Sequence, residues 1–218
     1  MKHILWSFVV AAALIAIFTE KAWAMDPLIE GCRHYYGQDA EKNPEEAVKS
    51  WLESAEQGQA IAQFDLGLSY AKGLGVEKDM AEAIKWLSRA AEQDYGPAQI
   101  VLGKYYASGK GVSKDMAEAV ELWCKAAKRG YVKAQLLLGE CYECGNGVDK
   151  DLVEAFNWYQ KASERGNADA LYAVGRCYDH GLGVKENKEK AAKWYRIAAE
   201  KGQKDALEAV KEIEEANE

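Results

Sequence analysis

The sequence predicts an all-α fold, a right-handed α-solenoid of about five 36-residue helix-turn-helix repeats with a C-terminal capping helix. Two observations lead to this prediction. From residue 26 onward the chain overlays on itself when it is shifted by 36 residues, which is typical of a stacked repeat. Within each copy, small and apolar residues recur at helical spacing and are followed by turns that contain glycine. We place the repeats at about 26–61, 62–97, 98–133, 134–169 and 170–205, and the cap at 206–218.

The first 24 residues have the pattern of a secretory signal peptide. They start with a basic residue, Lys2, continue through an apolar run from Ile4 to Phe18, and end in Ala22-Trp23-Ala24, a small-x-small cleavage site. The apolar run is shorter than the roughly 20 residues of a transmembrane helix. We therefore expect residues 1–24 to be cleaved and residues 25–218 to form a single repeat domain. The mature protein should be periplasmic or secreted, by export of the Gram-negative type, with no integral membrane segment.

The first helix of each repeat is predicted from a stripe of small and apolar residues. In the fourth copy these are Ala134, Leu138, Gly139 and Tyr142, spaced as on one face of a helix. The helix should end at the first of two glycines, because glycine suits the left-handed residue that follows a helix. A glycine inside a helix costs about 1 kcal/mol relative to alanine, so we expect a bulky residue of the second helix to pack closely on it. These internal glycines are Gly67, Gly103, Gly139 and Gly175.

The second helix of each repeat is predicted to begin at an acidic N-cap. Asp151 is followed three residues later by Glu154, the spacing of a capping box, in which the glutamate also accepts a hydrogen bond from the backbone of the cap residue. In the fifth repeat Asn187 and Lys190 replace this pair, so we expect a weaker cap there. The acidic pair also occurs at Asp79 with Glu82 and at Asp115 with Glu118.

The repeat unit is clearest in "AQFDLGLSYAKGLGVEKDMAEAIKWLSRAAEQ", from Ala62 to Gln93. It resembles the SEL-one-like repeat, a relative of the tetratricopeptide repeat, and the resemblance covers nearly all of the chain beyond residue 24. It implies an exported bacterial α-solenoid that acts as a non-enzymatic scaffold and binds proteins or peptides through its concave face. It also implies that first-helix positions line that face. These positions are Tyr36, Phe64, Leu68, Lys72, Ile100, Lys104, Leu136, Glu140, Glu143, Tyr172, Arg176 and Asp179.

The charge balance excludes one class of partner. The chain has 28 basic and 35 acidic residues and a formal net charge of −7, without the clustered cations that phosphate backbones require. We therefore expect no nucleic-acid partner, and no motif indicates a cofactor. The implied binding positions are aromatic and apolar in the early repeats and charged in the later ones, a combination that suits a peptide or helix ligand.

Four side chains favour an alternative function in thiol-redox chemistry or metal binding. Cys141 and Cys144 are three residues apart, and Cys177 and His180 have the same spacing one repeat later. Such a set forms a tetrahedral zinc site if the four side chains converge. Neighbouring helices of a stack lie about 8–10 Å apart, so all four side chains would have to turn toward one another.

The cysteines also suggest disulfides, since an exported protein meets an oxidising compartment. Cys141 and Cys144 are close along the chain, and Cys124 and Cys141 flank the predicted turn at residues 130–131, so Cys124, Cys141 and Cys144 are the candidates. The chain has five cysteines, so at least one must lack a partner within the chain. Cys32 is more than two repeats from any other cysteine, and we expect it to be free or to form an intermolecular disulfide.

A third hypothesis is an acylase or β-lactamase-like enzyme. Ser69 and Lys72 match the Ser-x-x-Lys pattern of serine acylases. The accompanying Ser-Asp-Asn and Lys-Thr-Gly motifs are absent from the sequence, and the serine position holds Tyr105, Cys141 and Cys177 in the following repeats. We therefore favour a chance match and assign no catalytic residues.

Overall fold

The computed structural model describes residues 27–36 and 43–215, apart from the side chains of Arg33 and Tyr36. The predicted signal peptide, residues 1–24, lies outside the described residues. Within these ranges the chain forms eleven α-helices and no strand, which confirms the all-α prediction. No helix in this part of the chain combines the length and apolar character needed to cross a membrane. The helices are α1 (Pro27–Tyr36), α2 (Pro44–Glu56), α3 (Ala60–Lys72), α4 (Met80–Glu92), α5 (Gly96–Ser108), α6 (Met116–Lys128), α7 (Val132–Cys144), α8 (Leu152–Ser163), α9 (Ala168–His180), α10 (Lys188–Glu200) and α11 (Ala206–Glu215).

The helices form two compact units. The first unit ends at Gln93 and contains α1 to α4, and the second begins at Asp94 and contains α5 to α11. In each unit every helix packs against the next one along the chain. Successive helix pairs therefore stack as in an α-solenoid, the predicted fold class. The core of the second unit includes the buried side chains of Trp123, Leu138 and Tyr195.

The glycine inside each first helix lets the second helix come close, as predicted. A β-carbon at Gly175 would lie 2.6 Å from the ring of Tyr195, and one at Gly139 would overlap the ring of Tyr159. Only glycine fits at such separations, and burial of the aromatic ring offsets the loss of helix propensity. The same arrangement places Trp123 against Gly103 and Leu87 against Gly67.

The predicted N-caps are present, but the predicted capping boxes are wrong. The side chain of Asp151 accepts a hydrogen bond from the backbone N–H of Glu154 at 3.0 Å. The N–H of Asp151, however, donates to the carbonyl oxygen of Tyr142 at 2.9 Å. The last turn of the first helix thus supplies the acceptor that a capping box takes from the glutamate. Asn187 caps α10 with one such bond, accepting from the N–H of Lys190 at 2.8 Å, whereas Asp151 also accepts from the N–H of Val153 at 2.9 Å.

Two glycines with positive φ form the turn between the helices of a repeat. Gly145 ends α7 with φ 75°, and Gly147 follows with φ 74°. A β-carbon at Gly147 would overlap the carbonyl group of Met116, the first residue of α6. The turn of one repeat therefore rests on the backbone of the preceding repeat. The same contact occurs between Gly183 and Leu152, and between Gly75 and Pro44.

Candidate functional site

A cavity of about 480 Å³ lies in the second unit, between the first helices α7 and α9 and beside α8. We call it the α7–α9 cavity. Its lining includes five of the twelve positions that the resemblance assigns to partner binding: Leu136, Glu140, Glu143, Tyr172 and Arg176. The other lining residues are Cys144, Tyr159, Asp169 and Ala173.

Two of the charged residues are paired at the wall of the α7–α9 cavity. The Nη2 atom of Arg176 donates to both carboxylate oxygens of Glu143, at 2.8 and 2.6 Å. The hydroxyl of Tyr159 also donates to Glu143, at 2.7 Å. Burial and this bond raise the pKa of Tyr159 far above its usual value, so the hydroxyl keeps its proton. Arg176 and Glu143 therefore neutralise each other within the protein.

The other two acids of the α7–α9 cavity are not paired in this way. Within the described part of the chain, the carboxylates of Glu140 and Asp169 form no hydrogen bond or ion pair. Burial and the nearby charge of Glu143 raise the pKa of Glu140, and Arg176 and Lys104 offset part of that rise. Both Glu140 and Asp169 are exposed, so their charge is accessible to a ligand.

Lys104, another predicted binding position, lies on α5 near Glu140. Burial and the like charge of Lys133 lower the pKa of Lys104, while the charge of Glu140 acts in the opposite direction. Its side chain is exposed. Lys104 therefore lies close both to the cation of Lys133 and to the carboxylate of Glu140.

Two further predicted positions contribute to the interior of the protein instead. Asp179 accepts hydrogen bonds from the Nζ of Lys188 at 2.9 Å and from the hydroxyl of Tyr195 at 3.2 Å. Ile100 is 7% exposed and packs in the core, and its carbonyl accepts from the indole N–H of Trp123 at 3.2 Å. Neither side chain offers a free surface to a partner.

A second cavity, of about 260 Å³, lies in the first unit. Phe64, Leu68 and Lys72 line it, and the side chain of the fourth position predicted in this unit, Tyr36, lies outside the described residues. Asp65 also lines this cavity, and burial raises its pKa to about 6. Asp65 is not among the predicted positions, although it is a carboxylate where the following repeats have apolar residues, and this difference was the signal that could have identified it. The remaining lining residues are Tyr35, Trp51, Ser69 and Leu74.

The structure does not bring together the four side chains of the alternative thiol or metal site. Cys141 and Cys177 are buried, whereas Cys144 and His180 are exposed. Burial raises the pKa of Cys141 to about 11 and that of Cys177 to about 12, so neither is a reactive thiolate at neutral pH. In the part of the chain that the structure describes, no three His, Cys, Asp or Glu side chains are grouped so that they could hold a metal ion.

The disulfide predicted among three cysteines is not present. Cys124, Cys141 and Cys144 all carry thiols. Cys124 packs against the core cluster that contains Cys141, but no bond joins them, and Cys144 points to the exposed side at the α7–α9 cavity. Cys32 is half-buried, and the intermolecular disulfide expected there stays a prediction.

The serine of the acylase hypothesis is engaged in its own helix. Ser69 is 3% exposed, and its hydroxyl donates to the carbonyl oxygen of Asp65 at 2.9 Å. This is the usual bond of a serine to the preceding helical turn. A hydroxyl that is buried and bonded in this way does not present a nucleophile to a substrate.

Solved structures of several bacterial proteins are similar to this chain. The Sel1 repeat protein from Oxalobacter formigenes matches with 36% identity and a TM-score of 0.79, over 88% of this chain and 80% of that one. The antigen c5321, described as a protective antigen of uropathogenic Escherichia coli strains with an SLR fold, matches with 30% identity and a TM-score of 0.83. That match covers 88% of this chain and 41% of the antigen.

A third structure, of a putative Sel1 repeat protein from Klebsiella pneumoniae, shares 24% identity with a TM-score of 0.53, over 89% of this chain and 96% of that one, and supports the fold alone. No curated protein gives a significant match. The Sel1 repeat model matches five consecutive segments, residues 31–59, 60–95, 96–131, 132–167 and 168–203. These segments account for most of the sequence, and the chain therefore belongs to the Sel1 repeat family.

Proposed function

We propose that this protein is a non-enzymatic scaffold of the bacterial envelope that binds a protein or peptide segment through the first-helix face of its repeats. Sel1 repeat proteins are generally protein-interaction scaffolds. The observation that carries the proposal is the α7–α9 cavity, because five positions assigned to the binding face by resemblance line this one cavity.

The lining of the α7–α9 cavity suits a peptide. Leu136 and Tyr172 are half-buried and offer apolar contact, and the exposed carboxylate of Glu140 lies beside them. Peptide-binding surfaces commonly combine apolar anchors with charges that orient the ligand. The ion pair at the cavity wall engages Arg176 and Glu143 with each other and leaves Glu140 and Asp169 for a ligand.

A peptide selection tests the proposed face. A phage library of random 12-residue peptides would be panned against the purified protein, and recovered peptides measured by fluorescence anisotropy. We expect Tyr172→Ala to weaken their binding about tenfold or more, the loss typical of an aromatic anchor. Val153→Ala is the matched control, because Val153 is 55% exposed on a second helix. Peptides that lose affinity with Val153→Ala and not with Tyr172→Ala would move the site to another face.

Location in the envelope is a separate part of the proposal, and it rests on the signal-peptide pattern of residues 1–24. Cell fractionation with N-terminal sequencing tests it. We expect the protein in the periplasm or the medium with Met25 as its first residue. A chain that keeps residue 1 and stays in the cytoplasm would contradict export and leave the binding proposal unaffected.

A further inference from the structure

The α7–α9 cavity has an unbalanced charge. Three carboxylates line it, those of Glu140, Glu143 and Asp169, against the single guanidinium of Arg176. The bond between Arg176 and Glu143 cancels one charge of each sign. Two negative charges remain, on Glu140 and Asp169, and both are exposed. The cavity therefore favours a ligand group of positive charge.

Neither an anion nor a metal ion fits this arrangement. An anion would meet two carboxylates, and the nitrogen of Arg176 that lines the wall already donates to Glu143. Lys104 and Lys133 lie on the side toward α5, where they repel each other. A metal ion would need at least three converging ligands, and the described ranges contain no such group. The complementary group is an organic cation.

The apolar lining of the α7–α9 cavity favours a cation carried on an aliphatic stem. Leu136, Tyr172 and Ala173 line the same cavity as the two acids. Lysine and arginine lay their methylene groups along apolar surface while the charged end stays polar. The environment of Glu140 supports this match, because burial and then the charge of Glu143 raise its pKa and a bound cation would favour its ionised form.

We infer that the bound segment places a lysine or arginine side chain in the α7–α9 cavity, its charged end facing Glu140 and Asp169 and its stem against Leu136 and Tyr172. The inference rests on the proposed function, because it requires a peptide on this face. The inference adds to that function the chemical class of the side chain that anchors the bound segment. The anchor is a basic side chain beside an apolar contact, and it is recognised mainly by the carboxylate of Glu140.

Sequencing of the selected peptide pools tests the inference. The random 12-residue library would be panned in parallel on the native protein, on Glu140→Gln and on Glu121→Gln, and each pool sequenced in depth. Glu121 is the matched control, an exposed acid on the second helix α6. We expect lysine and arginine to be enriched at one position by the native protein and by Glu121→Gln, and not by Glu140→Gln. Glu140→Lys should reverse the preference toward acidic residues.

Single peptides give the quantitative form of the test. For a recovered peptide, Glu140→Gln should weaken binding about tenfold, and replacing its lysine by norleucine should have the same effect. The two changes together should cost little more than either alone, since they remove one interaction. Peptides that depend on Tyr172 but show no lysine or arginine preference would overturn the inference and leave the proposed function standing. Absence of any Tyr172-dependent peptide would overturn the proposed function itself.

Discussion

Arg176 on α9 is bonded to Glu143 on α7, 33 positions earlier, through one guanidinium nitrogen and both carboxylate oxygens. The two residues belong to the first helices of adjacent repeats, so the pair ties one repeat to the next. The Glu143 side chain is 20% exposed and that of Arg176 is 37% exposed. Both were assigned to partner binding by resemblance, whereas the geometry gives them a part in holding the stack together.

Removal of Arg176 should therefore destabilise the protein. Arg176→Ala leaves the half-buried carboxylate of Glu143 without its cation, and we expect a loss of about 1–2 kcal/mol in the free energy of unfolding. Chemical denaturation measures it. Arg196→Ala is the control, because Arg196 and its partner Glu214 are both 54% exposed, and it should change stability by less than about 0.5 kcal/mol. Equal losses in the two variants would contradict a stabilising role for Arg176.

The N-caps of α6 and α10 should contribute equally. Asp115 and Asn187 each accept one bond, from the backbone N–H three residues on, and the side chain of the third residue takes no part. We expect Asp115→Ala and Asn187→Ala each to lower the free energy of unfolding by about 1 kcal/mol, as measured by denaturation. A much smaller loss with Asn187→Ala would restore the capping box as the source of the difference.

Asp65 should make stability depend on pH in an unusual direction. Burial raises the pKa of Asp65 to about 6 in the folded protein, above the ordinary aspartate value of about 3.9 that applies when the chain is unfolded. The unfolded chain therefore loses this proton more easily, and stability falls as the pH rises from about 4 to above 6.

Asp65→Asn removes this penalty. We expect the variant to be more stable than the native protein by about 2 kcal/mol at pH 7.5 and equally stable at pH 4. Thermal unfolding of both proteins across this range measures the difference. A destabilised variant at pH 7.5 would show that the carboxylate is held by favourable bonds.

The thiols of α7 and α9 should differ sharply in reactivity. Cys144 is exposed, whereas burial raises the pKa of Cys141 to about 11 and that of Cys177 to about 12. At pH 8 we expect iodoacetamide to modify Cys144 at least about 100-fold faster than the other two, because the thiolate is the reacting form. Peptide mass spectrometry over time measures the rates, and denatured protein, in which all thiols react, is the control. Rapid labelling of Cys177 in the native protein would contradict this prediction and support a thiol function.

The fold could be predicted because the features that determine it are local and repeat with a fixed period. The position of Gly139 predicted that a bulky residue of the second helix would pack closely on it, and the structure places Tyr159 there. The position of Gly145 predicted the end of α7, and this residue adopts the left-handed conformation. Both positions depend on backbone geometry that the residue type alone restricts. The predicted capping boxes were wrong because a main-chain carbonyl oxygen, and not the glutamate, accepts the hydrogen bond from the cap residue. A pattern of side chains gives no information about that carbonyl.

The site could be predicted only in part. The resemblance to the repeat family placed Glu140 and Glu143 on the binding face of α7, and both line the α7–α9 cavity. It does not show that Glu143 is bonded to Arg176 while Glu140 makes no such bond, because this depends on which side chains of neighbouring helices can reach each other. The difference between a binding residue and a stabilising one lies in those contacts.

The turn glycines Gly147 and Gly183 lie against the main chain of the preceding repeat, at Met116 and Leu152. The contact is the same at Gly75, although the residue that is contacted differs and is Pro44, Met116 or Leu152. This contact between repeats therefore tolerates a change of side chain at the start of the second helix, whereas a side chain on the glycine would collide with the neighbouring backbone.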